Sequence, residues 1–545
     1  MNEKPTIPEY LLRLSDGCFG IEAFSLFEES ERVQRELLGQ ILRSASHTEF
    51  GKRYDFASIH DVNQFRERIP ILSWKDFEPY SDRLVRGEKD LLFPGKAQFF
   101  TLTSGTSGKE KYIPDSSMSA VVRKLILRYR MAQYLKEVPD LLTGKFLPLT
   151  NAPQISYTSA GIPCGTASGL TLGQATLDRF LAYPMCILQN KDPESRDYLL
   201  MRFAIEQERI FSIAGNNAGR LTGLIALAKR YWQDIIRDIE LGRMDGARSV
   251  DAEVEEELRK YSRPNPERAE RLRELAREAD DFVPKTYWPD LRLALFWLSS
   301  SVGSYVEEVK PLLPSATKYM DVGYGSSEAK FNIPMRAGER SGALSIATAF
   351  YEFLPEEGGE PVLAHEVEEG KCYELIVTTW AGLYRYNMKD IVRVDGFVGK
   401  TPKIEFIRKS SELLNIAGEK IPASAVNDCV RDLLRDYQRQ VRQVQVFCDM
   451  EEHRYVCYVE LMDPEGFKVT EEVDERANRL LADRFQFYGM RIYQHQILKP
   501  MRLVLMRQGW QDSLYASKLK PGLSLSQIKL PILILEPAAE KWIAR

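Results

Sequence analysis

Apolar positions recur at helical spacing through residues 22–44 (EAFSLFEESERVQRELLGQILRS), which predicts an amphipathic helix. The same period runs through residues 119–138. From about 222 to 283 the pattern stays helical but densely charged, with a break at Pro264 and Pro266; such a pattern predicts solvated helix faces. After about residue 315 the period changes. YELIVTTW (373–380), DIVRV (390–394) and KIEFI (403–407) are rich in β-branched and aromatic residues and read as strands. IPASAVNDCVRDLLRDYQ (421–438) reads as a helix. VRQVQVFCD (441–449) and HRYVCYVELM (453–462) read as paired strands, and EEVDERANRLLADRFQ (471–486) as a further helix.

The section after about 410 is of ordinary domain size. RKSSELLNIAGE (408–419), polar and containing glycine, reads as a hinge between a larger domain (1–410) and a mobile smaller one (411–545). The composition, 44% hydrophobic and 28% charged over 545 residues, is that of a soluble globular chain with material for more than one core. A net charge of −4 leaves no global basic footprint for nucleic acid. No run of eighteen apolar residues predicts a membrane span. Seven scattered cysteines without a CxxC pair fit reduced thiols in the cytoplasm better than zinc or disulfides. The first residues, MNEKPTIPEYLLRLSDG, lack the apolar core of a signal peptide. Five dispersed histidines argue against a histidine triad or a histidine-rich metal site. No heptad run demands a partner, so a monomer is the default.

Four stretches carry polar chemistry. TLTSGTSGKEKYIP (101–114) lies between an apolar segment and a helical one. Its small residues and hydroxyls could bring N–H and O–H donors close to phosphate oxygens; an ordinary surface loop has the same composition. A Walker-type loop is excluded, because Gly108-Lys109 is preceded by Thr103 at the glycine position and followed by Glu110. DVGYGSSEAKFNIP (321–334) joins an aromatic able to stack on a base to Glu328, able to hold a divalent cation; a capped turn is the plainer reading. In AGLYRYNMKDIVRV (381–394), Asp390 precedes a strand, where it could accept ribose hydroxyls or form a surface ion pair with arginine. In GLSLSQIKLPIL (522–533), Lys529 either snorkels or serves as a mobile cation for an anion.

Taken in order, TLTSGTSGKEK, YGSSE, GLYRYNMKD and SLSQIKLP resemble the Gretchen Hagen acyl-acid amido synthetases, part of the acyl-adenylate-forming superfamily that includes firefly luciferase. FEESERVQRELLGQILRSASHTEFGKRYDF (27–56) and CYELIVTTWAGLYRYNMKDIVRVDGF (372–397) resemble the family too, and the likeness extends over about residues 20–540. It implies an α/β fold: a large multi-layer N-terminal adenylate-forming domain and a smaller α/β C-terminal domain. It implies that Ser104, Gly105, Thr106, Ser107 and Gly108 form a phosphate-binding loop. Tyr324, Ser326, Ser327 and Glu328 would lie against adenine and the α-phosphate, with Glu328 the Mg²⁺ contact. Tyr384, Arg385 and Asp390 would form the ribose motif, Arg408 and Lys420 the basic residues around the hinge, and Lys529 the mobile catalytic lysine. The implied substrates are ATP, a small carboxylic acid and an amino acid, with adenylation followed by amide formation and release of AMP and pyrophosphate.

Two departures stand out: Lys389 occupies the place of a common glycine before Asp390, and Thr103 replaces a usual serine. The acid pocket, expected between 120 and 240, matches the family least. YTSAGIPCGTASG (157–169) is expected to border it, and Arg123 either meets the substrate carboxylate or is an exposed helix charge. An acyl-CoA or carrier-protein ligase would share the first half-reaction. A catalytically idle nucleotide-binding or scaffold protein is the reading opposed by Glu328, Asp390 and Lys529 occurring together.

Overall fold

The computed structural model describes residues 26–104, 110–150, 152, 154, 156–167, 169–170, 180–216, 218–279, 281–298, 304–410, 413–518 and 532–544. The chain divides at Arg408/Lys409 into a larger and a smaller compact unit.

In the larger unit, Lys145–Leu149, Ile210–Gly215, Leu293–Phe296 and Lys318–Asp321 form a parallel sheet in that order. Leu293–Phe296 is buried along its whole length, as a parallel strand covered on both faces must be. Parallel neighbours need crossovers, and helices Pro193–Glu206, Gly219–Leu241 and Pro266–Glu278 lie in them. The densely charged region is therefore helical as its pattern predicts. Pro266 starts a helix instead of merely interrupting one: it occupies the first turn, and Asn265 accepts the Arg268 N–H at 3.1 Å.

A seven-stranded sheet follows in the order Val362–Leu363, Ala349–Pro355, Cys372–Thr379, Tyr386–Val398, Thr401–Lys409, Gly342–Leu344, Asn332–Pro334. Helix Ser30–Ala45 places Leu37, Leu38, Ile41 and Leu42 in one core with Phe350 and Phe353 of this sheet. Gln34 anchors that packing. Its amide donates to Ala349 O at 2.8 Å and accepts from Tyr351 N at 2.9 Å, so the buried backbone groups are paired.

A small sheet orders Glu110–Asp115, Phe99–Ser104, Pro163–Gly165 and Ser156–Tyr157. The Ser/Thr/Gly stretch thus connects two strands, and helix Ser117–Glu137 follows, capped by Ser116.

The smaller unit is a four-stranded sheet ordered Arg502–Met506, Arg454–Leu461, Val441–Asp449, Leu533–Ile534. Helices Ala423–Asp436 and Glu471–Arg484 contribute Val430, Leu433, Val473 and Leu481 to its core. Within the segment read as a polar hinge, Leu414 and Ile416 join this core. Leu413–Leu414 pairs with Ile421–Pro422, and Ile416 and Ala417 are fully buried. Glu419 is what makes such a turn buriable: its carboxylate accepts Ile416 N at 2.8 Å and Ala417 N at 2.7 Å. Burial nonetheless pushes its pKa up. Among the described residues, no helix is long and apolar enough to cross a membrane.

Candidate functional site

The site's frame begins at the end of the parallel sheet. Asp321, 2% exposed, accepts the Leu298 N–H at 2.8 Å and the Gly323 N–H at 2.6 Å, and burial pushes its pKa up to about 6. Behind the loop sits Arg130, from helix Ser117–Glu137. It donates to Asn332 O at 2.6 Å and to Tyr324 O at 3.3 Å. Asn332 closes the web: its side chain accepts Tyr324 N at 2.7 Å and donates to Ile404 O at 2.9 Å. Gly323 permits this arrangement. Its φ is +85°, and a Cβ there would lie 2.3 Å from the Arg130 guanidinium. Gly323→Ala is expected to cost about 2–4 kcal/mol, combining left-handed strain with overpacking; urea unfolding would measure it.

The web holds Tyr324 buried, its ring centroid 4.8 Å from Phe331 and 5.4 Å from Phe406, and its hydroxyl donating to Asp390 Oδ2 at 2.5 Å. Burial and the Asp390 carboxylate hold its pKa well above the usual phenol range. Asp390 meets it because of a register shift. Between Cys372–Thr379 and Tyr386–Val398 the pairing passes from Glu374↔Ile391 to Ile376↔Asn387, leaving Met388, Lys389 and Asp390 opposite Leu375 alone. Such a bulge re-aims a side chain. Lys389 carries the left-handed turn (φ 55°), which glycine adopts without strain, and its ammonium lies 3.3 Å from Glu374.

Glu328 follows within the same loop. Its N–H donates to Ser326 Oγ at 3.2 Å, and its carboxylate is hydrogen-bonded to Tyr386, whose phenol is held above its ordinary pKa by burial and by Glu328. Ser326, Ser327 and Glu328 form one wall of a pocket with about 590 Å³ of free space, open solvent included. Val122, Arg123 and Ile126 of helix Ser117–Glu137 line the same pocket, as do Trp380 and Thr348. Arg123 is not an exposed helix charge. It pairs with Asp115 at 2.5 Å, both largely buried, and burial raises the Asp115 pKa even though Arg123 opposes the shift. Lys330 also lines the pocket; burial, then the Arg130 and Arg123 charges, pull it down to about 7.

Tyr324, Ser326, Ser327, Glu328 and Asp390 are thus gathered in one region of the larger unit, and Arg123 lines the same pocket as Ser326, Ser327 and Glu328. Four of the described motif residues, Tyr324, Asp390, Tyr384 and Arg385, do not line the pocket. Tyr384 is 1% exposed, 4.9 Å from both Phe50 and Phe56 between ring centroids, and donates to Leu92 O at 2.5 Å. Arg385 is bound to Glu352 through two hydrogen bonds, at 2.9 and 3.1 Å, and to Ile69 O at 2.6 Å. Their side chains hold the turn against the N-terminal helices. Among the other expected residues, Lys420 lies in the smaller unit with φ 49°. Gly105, Thr106, Ser107, Gly108 and Lys529, with the side chains of Ser104 and Arg408, lie outside the described residues. The sequence reading missed Arg130, Asp115, Lys330, Trp380 and Tyr386. Arg130 had a signal, a charge on the helix stripe that buries Leu125, Ile126 and Tyr134.

Among the described residues no group of three or more His, Cys, Asp or Glu could by itself hold a metal ion. A single carboxylate with neighbouring hydroxyls still fits Mg²⁺, which is usually bound through one or two carboxylates plus substrate phosphates.

Residues 22–318 match the model of the GH3 family N-terminal domain, and residues 342–409 that of its central domain. An indole-3-acetic acid-amido synthetase of Arabidopsis thaliana is 27% identical over 498 residues, covering 83% of this chain and 89% of its own. A 4-substituted benzoates-glutamate ligase of the same plant is 25% identical, covering 92% of both chains. The fold matches a solved acyl acid amido synthetase in complex with 2,4-DB, with a TM-score of 0.67, 22% identity, and 100% of this chain and 98% of that one covered. With its larger α/β unit, its smaller C-terminal unit and more than half its length matched by the N-terminal model alone, this chain belongs to the GH3 family.

Proposed function

We propose that this chain is an acid–amino acid ligase: it adenylates a small carboxylic acid with ATP and transfers the acyl group to an amino acid. The observation that carries the reading is the pocket lined by Ser326, Ser327, Glu328 and Arg123, with the buried Tyr324–Asp390 pair in the same loop region, in a chain of this family. A substrate carboxylate oxygen attacks the α-phosphorus and the bond to pyrophosphate breaks. The amine nitrogen then attacks the acyl carbon, AMP leaves, and the amine proton passes to solvent. Such chemistry asks mainly for alignment and charge neutralisation.

In this reading Asp390, oriented by the Tyr324 hydroxyl, accepts from the ribose hydroxyls, and Ser326 and Ser327 lie along the α-phosphate. The 104–108 loop takes the outer phosphates. Arg123 draws the acid, with Asp115 holding its guanidinium. Mg²⁺, when bound, would be held by Glu328 and the nucleotide phosphates and would neutralise their charge. Lys529 is the cation for the α-phosphate, and Arg408 and Lys420 flank the region where the smaller unit, residues 411–545, would move. A cytoplasmic monomer goes with this reading.

The test is incubation with ATP, Mg²⁺, a panel of acids and mixed amino acids, read by mass spectrometry. AMP together with an acyl–amino-acid mass is the expected result. AMP with transfer only to a thiol would favour a CoA or carrier-protein ligase, and ADP would overturn the reaction class. Asp390→Asn is expected to raise the KM for ATP about tenfold, the worth of about one charge-assisted hydrogen bond. An unchanged KM would remove Asp390 from the nucleotide site.

A further inference from the structure

The ionisable side chains that line the pocket, among the described residues, are two carboxylates, Asp115 and Glu328, and two bases, Arg123 and Lys330. A space that receives an anion in the reading above is therefore not lined by an excess of cations. The two carboxylates are engaged differently. Glu328 is hydrogen-bonded to Tyr386 and stands on the nucleotide side in that reading, with half-buried Lys330 two residues further along the same loop. Asp115 is bound to Arg123 itself at 2.5 Å, the two side chains being 7% and 14% exposed. The backbone around Asp115 is fixed on both sides. Its carbonyl accepts from Gln98 N at 2.8 Å. The next residue, Ser116, donates from its hydroxyl to Trp380 O at 2.7 Å and caps the helix that carries Arg123.

A cation beside a reacting carboxylate has two opposed effects. It draws the anion in and orients it. It also stabilises the charge that the reaction must use up, because the carboxylate oxygen gives an electron pair to the α-phosphorus and becomes part of a neutral mixed anhydride. Val122, Ile126, Ala329 and Ala381 also line the pocket, and apolar surroundings screen such an attraction weakly. Binding that is stronger in the ground state than in the transition state lowers KM and kcat together. We propose that Asp115 offsets the charge of Arg123, so that the pocket orients the acid's carboxylate without over-stabilising it. Asp115 is then a positioning residue that acts through Arg123 on kcat. The inference rests on the acid-adenylating reading above.

The test is Asp115→Asn, which keeps the shape and removes the charge. In ATP–pyrophosphate exchange without any amine, run with benzoate and with hexanoate, the variant is expected to lower both the KM for the acid and kcat about tenfold. Binding without turnover is read by thermal shift. Benzoate is expected to bind the variant about tenfold more tightly than the wild type, and benzamide, of the same shape without the charge, to bind both alike. In an Arg123→Met background, Asp115→Asn is expected to change neither readout. A raised KM with kcat unaltered overturns the inference, since Asp115 would then only aim the guanidinium. An unchanged KM overturns it too, as does tightening that benzamide shares. If the variant does not fold alone, refolding in benzoate is expected to recover it and refolding in benzamide is not; recovery in both or in neither overturns the inference. Exchange that needs no acid overturns the adenylation reading. In that event, or if neither acid supports exchange, the thermal shifts still decide the pocket: tighter benzoate binding by the variant upholds the role of Asp115, and equal or absent binding overturns it.

Discussion

Replacing Lys529 by alanine is expected to lower acid-dependent pyrophosphate release about a hundred- to a thousandfold while leaving the circular dichroism spectrum unchanged. Negative charge grows around the α-phosphorus as the carboxylate attacks, and it must be held again while AMP leaves. A positioned cation at that point acts on the transition state more than on bound ATP, so the loss belongs in kcat. The segment around Lys529, GLSLSQIKLPIL, is small and apolar, with no acidic residue of its own to neutralise the ammonium. Pyrophosphate release at the wild-type rate would sink the assignment. A loss confined to amide formation would move the lysine to the second half-reaction.

Arg385→Ala should act on the fold. Its guanidinium makes two hydrogen bonds to Glu352, whose side chain is 1% exposed, and the Arg385 side chain is itself 6% exposed. Arg66 also reaches Glu352, at 2.8 Å, so removal of Arg385 halves the positive charge around a buried carboxylate and frees the Ile69 carbonyl. Breaking a buried pair from one side costs about 3–5 kcal/mol. Against a typical domain stability of about 5–15 kcal/mol, this should shift the urea midpoint of the variant strongly. The discriminating readout is ATP affinity of the folded fraction. Weaker nucleotide binding without lost stability would return Arg385 to the nucleotide site, where the family likeness alone would put it.

Much of the frame was legible in the chain. The helical period of 22–44 and 119–138 survives as Ser30–Ala45 and Ser117–Glu137, within the described residues. The strands after 372 and the helix–strand–strand–helix run after 421 also stand close to their expected places. The site was legible only as a set of motifs. YGSSE offers one tyrosine and GLYRYNMKD two, and nothing local separates Tyr324 from Tyr384. One, Tyr324, orients Asp390; the other, Tyr384, is a core residue. The units divide at Arg408/Lys409, within the polar stretch 408–419, but the burial inside that stretch was not legible: Glu419 looks like a surface charge, yet in place it binds the backbone of a buried turn.

The sequence by itself determined the elements, because periodicity is a local property of neighbouring residues. It also determined the chemical inventory and the family likeness, because hydroxyls, carboxylates and cations occur in a recognisable order along the chain. Only the tertiary structure decided which of those groups face the pocket. Tyr324 and Asp390 are 66 residues apart, Arg130 and Asn332 are 202, and Tyr384 and Leu92 are 292. A strand that advances past its partner at residues 388–390 turns one carboxylate towards Tyr324, and a glycine at 323 lets one guanidinium reach a loop. Such directions follow from register and from packing against distant segments, and these exist only once the chain has closed on itself.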